Sequence, residues 1–151
     1  MPQAAGFSLK KDKIDDFYQY LCQNIDKNNL KTVSSLYIDG VLDIHGVNTE
    51  LLESLKVLEP FGESNPEPCF VITNVMISNS ISLKNGHVSC ILTGRDGGRL
   101  SAIAFRVADK EIGSVLLKNT GKYYHVAGRI KQDIWKGKAK IQMYIEDLAE
   151  V

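Results

Sequence analysis

Between residues 12 and 28 the apolar side chains Ile14, Phe17, Tyr18, Leu21, Cys22 and Ile25 recur at intervals of three and four. That spacing lines one face of a helix and predicts an amphipathic helix ended by the Asp/Asn-rich IDKNN. In SSLYIDGVLDI the period shortens: Leu36, Ile38, Leu42 and Ile44 share one alternating set, which predicts a strand. A second short helix is predicted next, capped by Asn48 or Thr49, with Leu51, Leu52, Leu55 and Leu58 turned inward. Residues 1–58 thus read as a partial α/β segment, helix–strand–helix, too small and open to close a core unaided.

EPFGESNPEP, residues 59–68, interrupts both periods. Pro60, Pro66 and Pro68 remove backbone donors and fix φ, so the stretch reads as a connector with fixed turns, and the domain boundary is placed there. From residue 69 to 151 the pattern is one of strands. CFVITNVMISNSISLK predicts a long, bent strand; HVSCILTG and LSAIAFRV predict a hairpin across RDGG, where Asp96-Gly97 is a two-residue turn signal. DKEIGSVLLKN carries a helical stripe of Ile112, Val115 and Leu116, and KYYHVAGRI with KAKIQMYIEDL predicts a last hairpin. Three strands, a helix and two strands is the order of a five-stranded OB-fold β-barrel, so the expected class is α+β.

Composition changes this picture little. A hydrophobic content of 44% and a charged content of 24% over 151 residues are ordinary globular values. Cys22, Cys69 and Cys90 are odd in number and widely spaced, which argues against a disulfide framework or zinc site and for a reducing, cytoplasmic setting. No apolar run approaches the roughly 20 residues of a membrane span, and the N-terminus lacks the features of a signal peptide. His45, His87 and His125 are scattered and read as unrelated.

Charge changes it more. The formal net charge is zero, yet Asp43–Glu67 holds six acids against Lys56, and Lys118–Lys140 holds seven bases against Asp133. On the fourth barrel strand Val126, Gly128 and Ile130 are expected inside, with His125, Arg129 and Lys131 outside; on the fifth, Ile141, Met143 and Ile145 inside, with Lys138, Lys140, Gln142 and Tyr144 outside. Trp135 is expected in the connecting loop, one of the two that flank the oligonucleotide groove of this fold. Lysines follow phosphates without reading sequence, and an indole offers a base a plane to stack on. The candidate contacts are therefore Trp135 and Tyr144 for stacking and Lys131, Lys136, Lys138, Lys140, Arg129 and Arg106 for phosphates, with Arg95 and Arg99 on the remaining wall. Aggregation-blunting lysines and a tryptophan covering the barrel end would account for the same residues.

No Walker loop, HExxH, nucleophile elbow or paired metal-ligand cluster occurs; GRDGGR lies between two strands, where it marks a turn. Two longer motifs carry a resemblance. Leu58, Pro60, Phe61, Gly62, Asn65, Pro66, Glu67 and Pro68 fit L-x-P-F-G-x-G-N-P-E-P, with Ser64 replacing a glycine, and Trp135, Gly137, Gln142 and Asp147 fit W-x-G-x-x-x-x-Q-x-x-x-x-D. These are similar to the C-terminal region of the RecJ family of bacterial single-strand-specific exonucleases. MPQAAGF resembles the tail of that family's G-G-H-x-x-A-A-G substrate motif in its DHH-associated domain: Ala4, Ala5 and Gly6 match, and Met1 stands in place of the histidine.

The resemblance implies a fragment, a remnant of the DHH-associated domain over 1–58 followed by an OB-fold over 69–151, without the catalytic Asp-His-His domain. It further implies a single-stranded DNA-binding portion that needs no cofactor and cuts nothing. The parent would be a 5′-to-3′ exonuclease of recombination and repair using manganese or magnesium. The alternative is a protein-interaction or interdomain module whose basic face meets an acidic partner. Such a partner would be the tail of a single-strand-binding protein, or the parent's own Asp43–Glu67 segment.

Overall fold

The computed structural model describes residues 6, 8–24, 35–118, 120–135 and 138–151, excluding the side chains of Asn24, Ile134, Trp135 and Lys138. It divides into two units, Met1–Leu36 and Tyr37–Val151. In the first, a 3-10 turn at Lys11–Lys13 leads into α1 (Ile14–Asn24), whose first turn carries Asp15 and Asp16 at the positive end of the helix dipole. The predicted stripe is present in part: Ile14, Tyr18 and Leu21 are exposed. Ile25, Ala4 and Ala5 lie outside the described residues, and Gly6 is exposed.

The second unit is built on a closed barrel. Its strands are β2 (Phe70–Ser82), β3 (Val88–Gly94), β4 (Arg99–Ala104), β5 (Tyr123–Trp135) and β6 (Lys138–Glu150). β2 pairs antiparallel with both β3 and β5, β3 with β4 and β5 with β6, and a parallel β4–β6 pairing closes the ring. This is the expected five-stranded OB arrangement, with α3 (Glu111–Lys118) between β4 and β5 as the pattern predicted. β2 serves two neighbours because it bends. Asn74 and Asn79 adopt φ of 54° and 50°, the first at the register shift in the pairing with β5 and the second at that in the pairing with β3. Asparagine tolerates that left-handed geometry better than other non-glycine residues.

Alternation along the strands fills the interior. Ile72, Val75, Val88, Leu92, Ala102, Val126 and Met143 are fully buried, and Leu116 of α3 plugs them from one end. The last hairpin holds one irregularity. Ala127 pairs with Asp147 but Gly128 pairs with Ile145, so Glu146 is an extra, bulged residue. At Gly128 a Cβ would lie 2.1 Å from the Tyr144 carbonyl oxygen, which is why only glycine fits beside the bulge.

Three local expectations are corrected. The first predicted strand shortens to β1 (Gly40–Leu42), parallel to β2; Leu36 and Ile38 are exposed, while Ile44 is buried in a 3-10 turn. Backbone pinning explains this: Asp39 donates its N–H to the Cys69 carbonyl at 2.8 Å and takes the Cys69 N–H on Oδ2 at 2.9 Å, and Asp43 caps the turn through the His45 N–H. The second helix, α2 (Thr49–Lys56), is capped by Asn48 and buries Leu52, but it stops before Leu58, which is exposed. The β3–β4 hairpin lies where expected, across Arg95–Gly98, but all four residues make the connection where a two-residue turn at Asp96-Gly97 was expected, with Gly97 at φ 86° and Asp96 Oδ1 accepting from Gly98 N–H. Residues 37–58, grouped by pattern with the N-terminal segment, belong to the same compact unit as the barrel: β1 extends β2, and Ile44, Val47 and Leu52 join its core.

Candidate nucleic-acid interface

The outward residues of β3, β4, β6 and β5 form one wall. Register places Ser89, Ile103, Tyr144 and Arg129 in a row across the four strands, and Ile91, Ser101, Gln142 and Lys131 in the next. Lys140 lies opposite Asp133 nearer the end of the last hairpin, and Arg99 precedes Ser101 on the same face of β4. A shallow cavity of about 250 Å³ runs over this wall, lined by Leu83, Ser89, Ile103, Asp133, Lys140 and Gln142.

At one side of the wall stands a row of aromatic rings. Phe105, 44% exposed, meets Tyr144 edge-on at 5.0 Å between centroids and His87 at the same distance on its other side. The row is held by backbone chemistry. His87 Nδ1 accepts the Arg106 N–H at 3.0 Å, and the Gly86 carbonyl accepts the N–H groups of Val107 and Ala108. Arg106 itself sits at φ 55°, a left-handed position that this clasp maintains. Phe105 and His87 were not singled out from the sequence. The signal was there: in LSAIAF the buried set is Leu100, Ala102 and Ala104, leaving Ile103 and Phe105 to face outward on the other parity.

The expected contact residues divide. Arg129, Lys131, Lys140, Tyr144 and Arg99 share the wall. Arg106 is exposed next to Phe105. Arg95, in the β3–β4 turn, places its guanidinium 4.6 Å above the ring of Tyr123, the first residue of β5. Trp135 is the last residue of β5, paired with Lys138, and so is in a strand and not in the loop. Its side chain, that of Lys138, and Lys136 altogether lie outside the described residues.

Two of the cations are already engaged. Lys131 Nζ is 2.6 Å from Glu67 Oε2, and Arg129 Nη2 is 3.0 Å from Glu146 Oε1. Lys140 and Arg99 make no ion pair among the described residues. Burial pushes the Cys90 thiol up to about 12, leaving it protonated and unreactive. Among the described residues, one group of three metal-ligating side chains occurs, Asp43, His45 and Asp96. It is exposed, and His45 Nε2 and Asp96 Oδ2 form an ion pair at 2.8 Å. A hydrolytic manganese or magnesium centre calls for sheltered carboxylates around the metal and its water; these residues do not fit it.

No helix among the described residues is long and apolar enough to cross a membrane. Curated relatives include the single-stranded-DNA-specific exonuclease RecJ of Haemophilus influenzae, 26% identical over 97% of this chain and 26% of that protein. The RecJ of Bacillus subtilis is 23% identical over 98% of this chain and 19% of that protein. The chain therefore spans about a quarter or less of their length. Among solved structures, RecJ of Thermus thermophilus in complex with Mn2+ superposes with a TM-score of 0.60 and 21% identity, over 95% of this chain and 20% of that one. The RecJ OB domain family matches residues 38–147, which take in β1, α2 and the barrel except the last three residues of β6, and the chain belongs to that family.

Proposed function

We propose that this chain is the single-strand-gripping part of a RecJ-like exonuclease and performs no hydrolysis itself. The single observation that carries the reading is the outer wall of the barrel. There, the His87–Phe105–Tyr144 rings stand beside Lys131, Lys140, Arg129 and Arg99 on one continuous surface. Bases stack on such rings whatever their sequence, while the cations follow the phosphates. A duplex hides its base faces, so the wall favours an unpaired strand. Trp135, at the end of β5, is proposed to extend the stacking surface toward the hairpin. In the parent, a separate domain supplies the metal-assisted hydrolysis with manganese or magnesium, in a 5′-to-3′ direction serving recombination and repair, within the cytoplasm. The proposal extends to residues 1–58 as the remnant of a DHH-associated domain.

Fluorescence anisotropy with labelled oligo(dT), a matching duplex and an acidic peptide tests this. The expected order is oligo(dT) well above duplex, with affinity falling as salt rises. Lys140→Gln is expected to flatten the slope of log affinity against log salt by about 0.7. Trp135→Ala is expected to weaken binding by about 1–3 kcal/mol if a base stacks there. Preference for the acidic peptide would instead assign the basic face to an acidic partner, such as the tail of a single-strand-binding protein. Manganese-dependent cleavage by the purified chain would overturn the non-catalytic assignment.

A further inference from the structure

The wall's cations are not equivalent. Lys131 reaches across β5 to Glu67, which lies three residues before β2; the Phe70–Gly128 pairing puts the two side by side. The Glu67 side chain is 17% exposed and that of Lys131 38%, so the pair is partly shielded from water. It is also, among the described residues, the one ion pair between the acidic Asp43–Glu67 segment and the basic hairpin. Arg129 is held differently. Only Nη2 meets the carboxylate of Glu146, the bulged residue of β6, and the Nε of Arg129 is buried without a hydrogen-bond partner. A guanidinium bound at one point, with a second donor unfilled, is short of the two-point fork it makes with a well-matched oxyanion.

We infer that Glu67 and Glu146 are built-in competitors of the DNA backbone: each occupies a wall cation that a phosphate would otherwise take, so the barrel grips a single strand loosely enough for it to advance. This rests on the single-strand reading above. Physically, a phosphate approaching Lys131 must displace a carboxylate already 2.6 Å away. Two anions then share one cation, and the gain from the new contact is reduced by loss of the old one. Fewer condensed counter-ions are released per phosphate as well, because the lysine arrives already neutralised. Lys140 and Arg99, without such partners, supply the permanent part of the grip. Glu146 keeps the outward parity of Tyr144, and its carboxylate lies 3.0 Å from Arg129 Nη2 where the register shifts beside Gly128.

The experiment is a double-substitution cycle on the 151-residue chain, read by oligo(dT) anisotropy over a salt series, with thermal melts alongside. Glu67→Gln keeps the side chain's size and removes its charge. It is expected to tighten binding about two- to tenfold, the range set by the worth of a partly exposed ion pair. It is also expected to steepen the log–log salt slope by about 0.7 as Lys131 becomes a full phosphate contact. Lys131→Gln alone is expected to cost little, and adding it to Glu67→Gln is expected to cancel the gain. Glu146→Gln with Arg129→Gln forms the parallel cycle and decides the matter if Glu67→Gln lowers the melting temperature. If oligo(dT) binding depends on Tyr144 and Lys140 but neither glutamate substitution tightens it or changes the slope, the glutamates are only structural struts and the inference is overturned. Absence of oligo(dT) binding by any variant overturns the single-strand reading itself.

Discussion

The two faces of the β5–β6 hairpin are drawn from the same residues in alternation, yet they answer to different demands. Inside, Val126, Ile130, Met143 and Ile145 are buried in the barrel core, and none carries charge. Outside, Arg129, Lys131, Gln142 and Tyr144 are half-exposed and carry the ion pairs and ring contacts. The comparison teaches that a period-two pattern can separate stability from binding one residue at a time. It also teaches where the separation fails, at the bulge, where Gly128 and Glu146 serve the backbone path and the surface together.

The largest expected effect breaks the comparison at that point. Gly128→Ala drives a methyl group to 2.1 Å from the Tyr144 carbonyl oxygen, and backbone cannot yield as a side chain can. Loss of more than about 4 kcal/mol is expected, seen as loss of cooperative unfolding and of DNA binding together. Next, Met143→Ala, on the inner face, is expected to destabilise by about 2–5 kcal/mol in urea melts. The folded remainder is expected to keep its oligo(dT) affinity. Tyr144→Ala, one residue along and on the outer face, is expected to do the reverse. Binding weakens by about 1–3 kcal/mol, while the midpoint of unfolding moves little.

The smallest effect sits away from the hairpin, at the β3–β4 turn. The Gly98 N–H, then His45, hold the Asp96 carboxyl below its usual value. A carboxylate lowered in the folded state adds stability above its unfolded pKa, about 3.9, which is lost as pH falls through the folded value. Asp96→Asn is therefore expected to narrow the stability difference between pH 6 and about pH 3, slightly because the group is exposed. An unchanged pH profile would remove the turn from the account of stability.

Much of this was legible from alternation alone. The barrel strands, the helix between β4 and β5, and the inward set of the last hairpin all follow from period and turn residues. What was not legible depended on partners distant in sequence. Leu36 and Ile38 share the parity of Leu42, yet Asp39 ties the backbone to Cys69, 30 residues on, and among the described residues no strand forms before Gly40. The contact of Arg95 with the ring of Tyr123, 28 residues on, likewise has no local signature. Phe105 was overlooked for the opposite reason. It stands just past the end of β4, where outward parity has meaning only once His87 and Tyr144 are brought alongside it.

Ile44 reaches into the tip of the β3–β4 hairpin, where its Cγ2 lies 2.6 Å from the point a Cβ on Gly98 would occupy. A barrel begun at Cys69 would be missing that plug, the Leu52 anchor, and the short ribbon that shields one side of β2. Trimming to the strands alone would thus yield a shell with an unfilled socket and a bare margin, prone to stick to its own kind. The compact unit that keeps the plug and the ribbon runs from Tyr37, upstream of the prolines.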